Sequence, residues 1–245
     1  IDLCPVGALV SKPFRYSART RELSRRKSIS PHCGLGSNLV VQVKQNRVMR
    51  ILPRDNEAIN ECWLSDKDRF SYEGLNSEDR LTRPMIKRDG QWFECDWQQA
   101  LEFTAGALQA IKQKHGAKSI GALGSAHSTS EELYLLQKLL RAMGSGNIDH
   151  RLRQSDFRAD KELQGIPWLG TSIADISQLK SALIIGSTLR KDHPLIAQRL
   201  RQAVKSGMQL NIVNPVDDNL LVNIANKAIA APSAIVKTLA EILKA

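Results

Sequence analysis

Residues 30–84 read SPHCGLGSNLVVQVKQNRVMRILPRDNEAINECWLSDKDRFSYEGLNSEDRLTRP, and this stretch decides the fold. Two short β-type runs, at 38–43 and 47–52, flank a polar Lys44-Gln45-Asn46 turn in the pattern of a hairpin. Cys33 stands just before the hairpin and Cys62 just after it. With two serines they give the spacing Ser30-x2-Cys33-x3-Ser37-x24-Cys62. Four cysteines so spaced would suit a 4Fe-4S cluster, because each iron takes one thiolate and the hairpin brings the ends together. Here two of the four are serines, whose hydroxyls are poor ligands for iron in sulfide clusters. The frame is present and half of its ligands are gone.

The run from Cys33 through Arg80 resembles the large iron–sulfur subunit of bacterial NADH-quinone oxidoreductases, the respiratory complex I family, which is built on a molybdopterin-oxidoreductase scaffold. The residues that carry the resemblance are Gly36-Ser37-Asn38, Arg47-Val48-Met49-Arg50-Ile51-Leu52-Pro53 and Trp63-Leu64-Ser65-Asp66-Lys67-Asp68-Arg69-Phe70. The wider family pattern is C-x2-C-x3-C followed by a distant C. The departures at Ser30 and Ser37 resemble complex I subunits that have lost this extra cluster, so Ser30, Cys33, Ser37 and Cys62 are expected to be vestigial cluster positions.

Composition sets outer bounds. The 245 residues are enough for one large or two smaller domains with a substantial core. At 42% apolar content there is no uninterrupted apolar run long enough to span a membrane. The opening Ile1-Asp2-Leu3-Cys4 lacks the features of a secretory signal, and a chain that begins on Ile1 reads as a fragment. Four cysteines are too few for a disulfide scaffold and suit a reducing compartment. The net charge of +10 is largely local: between Lys12 and Arg50 there are ten Lys or Arg, opposed by Glu22 alone. Such a segment could track nucleic-acid phosphates or meet an acidic partner surface. No aromatic stacking platform accompanies it, which argues against nucleic acid.

Before the hairpin, Cys4 is followed at once by Pro5. A Cys-Pro step commonly closes a ferredoxin-type ligand series, and alone it is weak. The resemblance implies that Cys4-Pro5-Val6-Gly7-Ala8-Leu9 is the last ligand motif of a preceding 4Fe-4S cluster in a longer parent. Residues 12–29 show no apolar stripe at either period and read as an extended linker. His32 adjoins Cys33, but immediate neighbours are not the usual zinc spacing, so it reads as a satisfied loop histidine.

Beyond Pro84 the pattern becomes α/β. Runs at 85–87 and 91–95 pair across Arg88-Asp89-Gly90, with Cys95 as a plain strand thiol. Asp96 and Gln99 open a helix whose stripe of Ala100, Leu101, Phe103, Thr104, Leu108 and Ile111 should be buried, ending at Gly116. A strand is expected at 118–123. A second capping box, Thr129 to Glu132, starts a helix with Leu133, Leu136, Leu140 and Met143 on one face. Residues 147–170 read as a surface loop of functional length. A strand at 182–185, the turn Gly186-Ser187-Thr188, a helix at 194–206 and a strand at 209–214 form a βαβ unit, which requires parallel pairing. An amphipathic helix at 233–244 closes the chain.

The expected fold class is therefore α/β: a small β-hairpin iron–sulfur-type module, then a doubly wound, largely parallel α/β domain of the molybdopterin-oxidoreductase type. The expected boundaries are 1–29 (tail of a ferredoxin-like domain and linker), 30–84 (degenerate cluster module) and 85–245 (start of a cofactor-free α/β domain). In molybdopterin oxidoreductases a strand ending in Gly-Ser-Asn serves the pterin's nucleotide tail, and here Thr188 replaces the amide. The five histidines form no local catalytic motif, so no catalytic residue is expected.

From the resemblance follow the remaining expectations. The parent would pass electrons from NADH through 4Fe-4S and 2Fe-2S clusters towards quinone, coupled to proton translocation. This segment would hold no cluster and no molybdopterin and would act as scaffold and subunit interface. Its partners would be other peripheral-arm subunits of complex I, with neither nucleic acid nor membrane insertion, on the cytoplasmic side of the bacterial inner membrane. The competing reading is a true molybdenum oxidoreductase such as a formate dehydrogenase.

Overall fold

The computed structural model describes residues 1–151, 162 and 164–244. They fall into two compact units, one of Ile1–Asn76 with Pro167–Ala245 and one of Ser77–Ile166.

The first unit begins with an antiparallel sheet of three strands in the order β1 (Ser24–Ile29), β2 (Asn38–Lys44) and β3 (Arg47–Pro53). The expected hairpin is β2–β3. Its connection puts both Gln45 and Asn46 at positive φ, 50° and 60°, the two-residue turn whose twist matches that of paired strands. Of the hairpin's apolar side chains, Leu39 is fully buried, whereas Val41, Val48 and Ile51 are half-buried. A short helix, α1 (Asp66–Phe70), follows, and Ser65 caps it by accepting from the Asp68 amide.

Within the extended linker expected at residues 12–29, β1 is a strand paired with the hairpin. Its six residues pair with β2 from Ser24 opposite Val43 to Ile29 opposite Asn38. All six side chains are exposed. The strand is held by its main-chain pairing, helped at one end by the Ser24 hydroxyl donating to the Val43 carbonyl at 3.2 Å. It therefore leaves no alternation for sequence reasoning to detect.

The second unit contains the hairpin β4 (Met85–Arg88) and β5 (Gln91–Glu94), paired antiparallel. The helix α2 (Trp97–His115) starts at Asp96, whose side chain accepts from the Gln99 amide, and ends at Gly116. Its expected buried stripe is not buried: no residue of α2 is, and Leu101 is 61% exposed. Caps and length sustain this helix without a covering layer. The expected strand at 118–123 begins instead in a 3-10 turn at Ala117–Ser119, with β6 reduced to Ala122–Leu123. The helix α3 (Ser130–Met143) has the reciprocal capping box of Thr129 and Glu132, and buries Leu140. Gly124 lies against α3, where an added Cβ would meet Leu133 at 2.9 Å. The expected loop from 147 instead opens with β7 (Ile148–Asp149), parallel to β6; its part at 152–161 and 163 lies outside the described residues.

The first unit resumes with β8 (Ser181–Ile185), the short α4 (Leu189–Asp192), α5 (Pro194–Lys205) and β9 (Gln209–Asn214). Strands β8 and β9 are parallel, with Ser181 opposite Gln209 and Ile185 opposite Val213. A strand the periodicity missed, β10 (Asn226–Ile229), pairs parallel on the other side of β9, giving the order β10-β9-β8. The helix α6 (Ile235–Lys244) follows. Ile184, Leu200, Ala203, Met208, Leu210 and Ile212 make the core between this sheet and α5. The parallel α/β architecture bears out the expected fold class. No described helix is long and apolar enough to cross a membrane.

Candidate functional site

The loop between β1 and β2 carries three of the four expected frame positions. The Ser30 amide donates to the Ser37 carbonyl at 2.8 Å and the Gly36 amide to the Cys33 carbonyl at 2.9 Å, so the loop closes on itself. The Ser30 hydroxyl sits at its centre. It accepts from the amides of His32 (3.0 Å) and Cys33 (2.8 Å) and donates to a carboxylate oxygen of Asp68 at 2.5 Å. The Ser65 hydroxyl donates to the other oxygen of Asp68 at 3.0 Å. Ser30, Ser65 and Asp68 are all buried, Asp68 to 1% exposure. Ser37 is fully buried and its hydroxyl has no partner.

Cys33 and Ser65 line one cavity of about 170 Å³, together with His32, Lys67, Arg190 and Lys191. Cys62 does not line it. Cys62 follows Asn60, whose side-chain oxygen accepts from the Asn38 amide, next to Ser37, at 2.9 Å. Arg199 of α5, itself buried, braces this same turn by donating to the carbonyls of Glu57 (2.7 Å) and Ile59 (3.1 Å).

This donor set does not fit a 4Fe-4S cluster. A hydroxyl offers one donor and two acceptor sites, and at Ser30 all three are in use. All four cysteines are free thiols. Among the described residues no group of three or more His, Cys, Asp or Glu is placed to hold a metal ion.

Cys4 has a different environment. Its sulfur accepts from the Ala8 amide at 3.2 Å. The backbone amides of Leu9 and then Ala8, with smaller help from Val6 and Gly7, hold its thiol below the ordinary value against a weaker opposing effect of burial. Consecutive amides turned towards one sulfur form an anion-binding concavity. A groove of about 760 Å³ beside it is lined in part by Phe14, Arg50 and Arg69.

In the α/β part the turn after β8 is closed by the chain's own groups. Gly186, at φ 65°, leads to Ser187, whose amide donates to Asn214 (3.1 Å) while the Asn214 amide group donates back to the Ser187 carbonyl (2.9 Å). The Asp192 carboxylate accepts from the Thr188 amide (3.1 Å) and the Ser187 hydroxyl (3.3 Å). A carboxylate thus sits where turn amides would meet a phosphate. This does not fit a nucleotide tail.

Sequence reasoning missed Ser65, Asp68 and Arg199. The first two were legible as Ser-x-x-Asp before a helix, the helix-start signature. Arg199 had no signal, because its partners are carbonyls far away in the chain.

The architecture and these loops define the class. A family model described as molybdopterin oxidoreductase matches residues 80–245, and the chain belongs to that family. A second, described as the 4Fe-4S domain of NADH-ubiquinone oxidoreductase NDSU1/NuoG-like proteins, matches residues 23–73. The chain is similar to the G subunit of NADH-quinone oxidoreductase from Rickettsia felis, 40% identical over 84% of this chain and 30% of that protein. It is also similar to the NADH-ubiquinone oxidoreductase 75 kDa subunit of Reclinomonas americana, 36% identical over 84% of this chain and 31% of that protein. It therefore spans under a third of the length of these relatives. Among solved structures, acetylene hydratase from Pelobacter acetylenicus matches with a TM-score of 0.60 at 17% identity, covering 81% of this chain and 29% of that one. That likeness concerns the fold alone.

Proposed function

We propose that this chain is a segment of the large iron–sulfur subunit of an NADH-quinone oxidoreductase of the complex I type. The parent carries electrons from NADH through 4Fe-4S and 2Fe-2S clusters towards quinone, coupled to proton translocation. The observation that carries this reading is the likeness to the Rickettsia felis protein, which extends over 84% of the chain. Residues 1–29 are the tail of a cluster domain and its lead-out, 30–84 a cluster module without a cluster, and 85–245 the start of an α/β domain without molybdopterin. The saturated Ser30 hydroxyl and the Asp192-filled turn support both absences.

Cys4 is the last ligand of a 4Fe-4S cluster in the parent. The amide nest supports this role, since amides that favour the thiolate also suit a sulfur bound to iron. Partners are other peripheral-arm subunits on the cytoplasmic side of the inner membrane. The exposed Arg25, Arg26 and Lys27 of β1 give an acidic neighbour something to meet.

The test is assembly. Membranes from cells carrying a tagged parent chain are solubilised in mild detergent and resolved by native electrophoresis. The chain should migrate with NADH dehydrogenase activity, and the band should contain iron but no stoichiometric molybdenum. Molybdenum in the band, or separation of the chain from that activity, would overturn the reading.

A further inference from the structure

In a four-cysteine frame the metal cluster would tie the loop before β2 to the segment entering α1. Here, besides Asn60, whose side chain accepts from the Asn38 amide, those two segments are joined through a second buried side chain, Asp68. Both oxygens of Asp68 are engaged, one by the Ser30 hydroxyl at 2.5 Å and the other by the Ser65 hydroxyl at 3.0 Å. Each hydroxyl passes the connection to main chain. Ser30 accepts from the amides of His32 and Cys33, and Ser65 accepts from the amide of Asp68 itself at 3.2 Å. We propose that the Asp68 carboxylate is the metal-free staple of this module, doing through two serine hydroxyls the cross-linking that iron and thiolates would do.

Three observations favour a staple over an incidental contact. The carboxylate is 1% exposed, where an acidic side chain persists only if its oxygens are fully served. The Ser30 hydroxyl uses its whole bonding capacity, so no alternative rotamer serves as well. The link joins residues 38 apart in sequence, and so does long-range work that no local turn can do. Arg69, the next residue, is buried and paired with Asp2, which holds the start of the chain to the same helix. The staple stands independently of the proposed function, because it concerns only how this loop is held.

The test uses the whole 245-residue chain. Urea unfolding is compared for the unsubstituted protein, Ser30→Ala, Asp68→Ala and the double variant, and repeated after dialysis against a chelator. Each single change should lower the folded-to-unfolded ratio about tenfold or more, as expected for a hydrogen bond to a charged group. The double variant should lose clearly less than the product of the two. Chelation should move no midpoint. Hydrogen exchange on the unsubstituted chain gives a second readout that survives even if Asp68→Ala does not fold: the amides of His32, Cys33 and Asp68 should be protected, and Ser30→Ala should release the first two. Multiplicative losses, a chelator-sensitive midpoint, or amides exchanging at the unprotected rate would overturn the staple.

Discussion

Ser30 and Ser37 are chemically the same residue and face opposite energetics. The Ser30 hydroxyl makes three hydrogen bonds, whereas that of Ser37, even more enclosed, has no partner. Removing an unpartnered hydroxyl gives up nothing, while removing a used one orphans its neighbours. Ser37→Ala should therefore change stability by less than about 0.5 kcal/mol or raise it, whereas Ser30→Ala should cost about 1–3 kcal/mol. Paired urea melts check the contrast, and equal losses would contradict it. A second residue, Asp149, is held down to about 2, first by the hydrogen bond from the Arg151 side chain and then by the Arg151 and His150 amides. Its folded value lies below the unfolded one. Its contribution is present above about pH 4 and is lost as pH falls towards 2. Carboxyl NMR should find Asp149 still ionised at about pH 3, and Arg151→Gln should raise its midpoint.

At the scale of elements, α5 both covers its sheet and reaches across the first unit. Arg199 is buried, donates to the Glu57 and Ile59 carbonyls, and lies 3.7 Å from a Glu61 carboxylate oxygen. Arg199→Ala would remove the donor to both carbonyls and the charge beside Glu61. It should cost about 1–3 kcal/mol, read as a lower urea midpoint with the slope unchanged. The strand β1 behaves oppositely. Its side chains are exposed and its pairing with β2 is main-chain, so changing Arg25, Arg26 and Lys27 together to Ala should alter stability by less than about 1 kcal/mol. The same variant should weaken incorporation into the assembled complex if this basic strand faces an acidic neighbour, as native electrophoresis of the tagged parent would report.

At the scale of the whole molecule, the proposed reading is a family architecture held at two of its loops by the chain's own carboxylates. The family's architecture remains, with Asp192 accepting from the turn after β8 and Asp68 from the loop before β2. Cys4 is the exception, with amides arranged for a thiolate. Cys4→Ala in the parent should remove one 4Fe-4S signal from the electron paramagnetic resonance spectrum of the purified complex. It should leave the urea midpoint of the 245-residue chain nearly unchanged, since the thiol lies near the surface.

The sequence by itself determined whatever rests on local rules. The β2–β3 turn at Gln45-Asn46, the capping box at Thr129 and Glu132, the helix stop at Gly116 and the βαβ unit ending at Asn214 are all set within a few residues. The serines at 30 and 37, in a spacing that would suit cluster cysteines, were also plain in the sequence. Tertiary structure alone decided what those serines meet. Strand β1 pairs without burying a side chain, so hydrophobic periodicity had nothing to report. Arg199 meets a carbonyl 140 residues away, and a carbonyl has no letter in the sequence. The union of Ser30 and Ser65 on Asp68 likewise depends on the chain's return after the hairpin. Such hydrogen bonds are specified by position in space, which only the folded chain supplies.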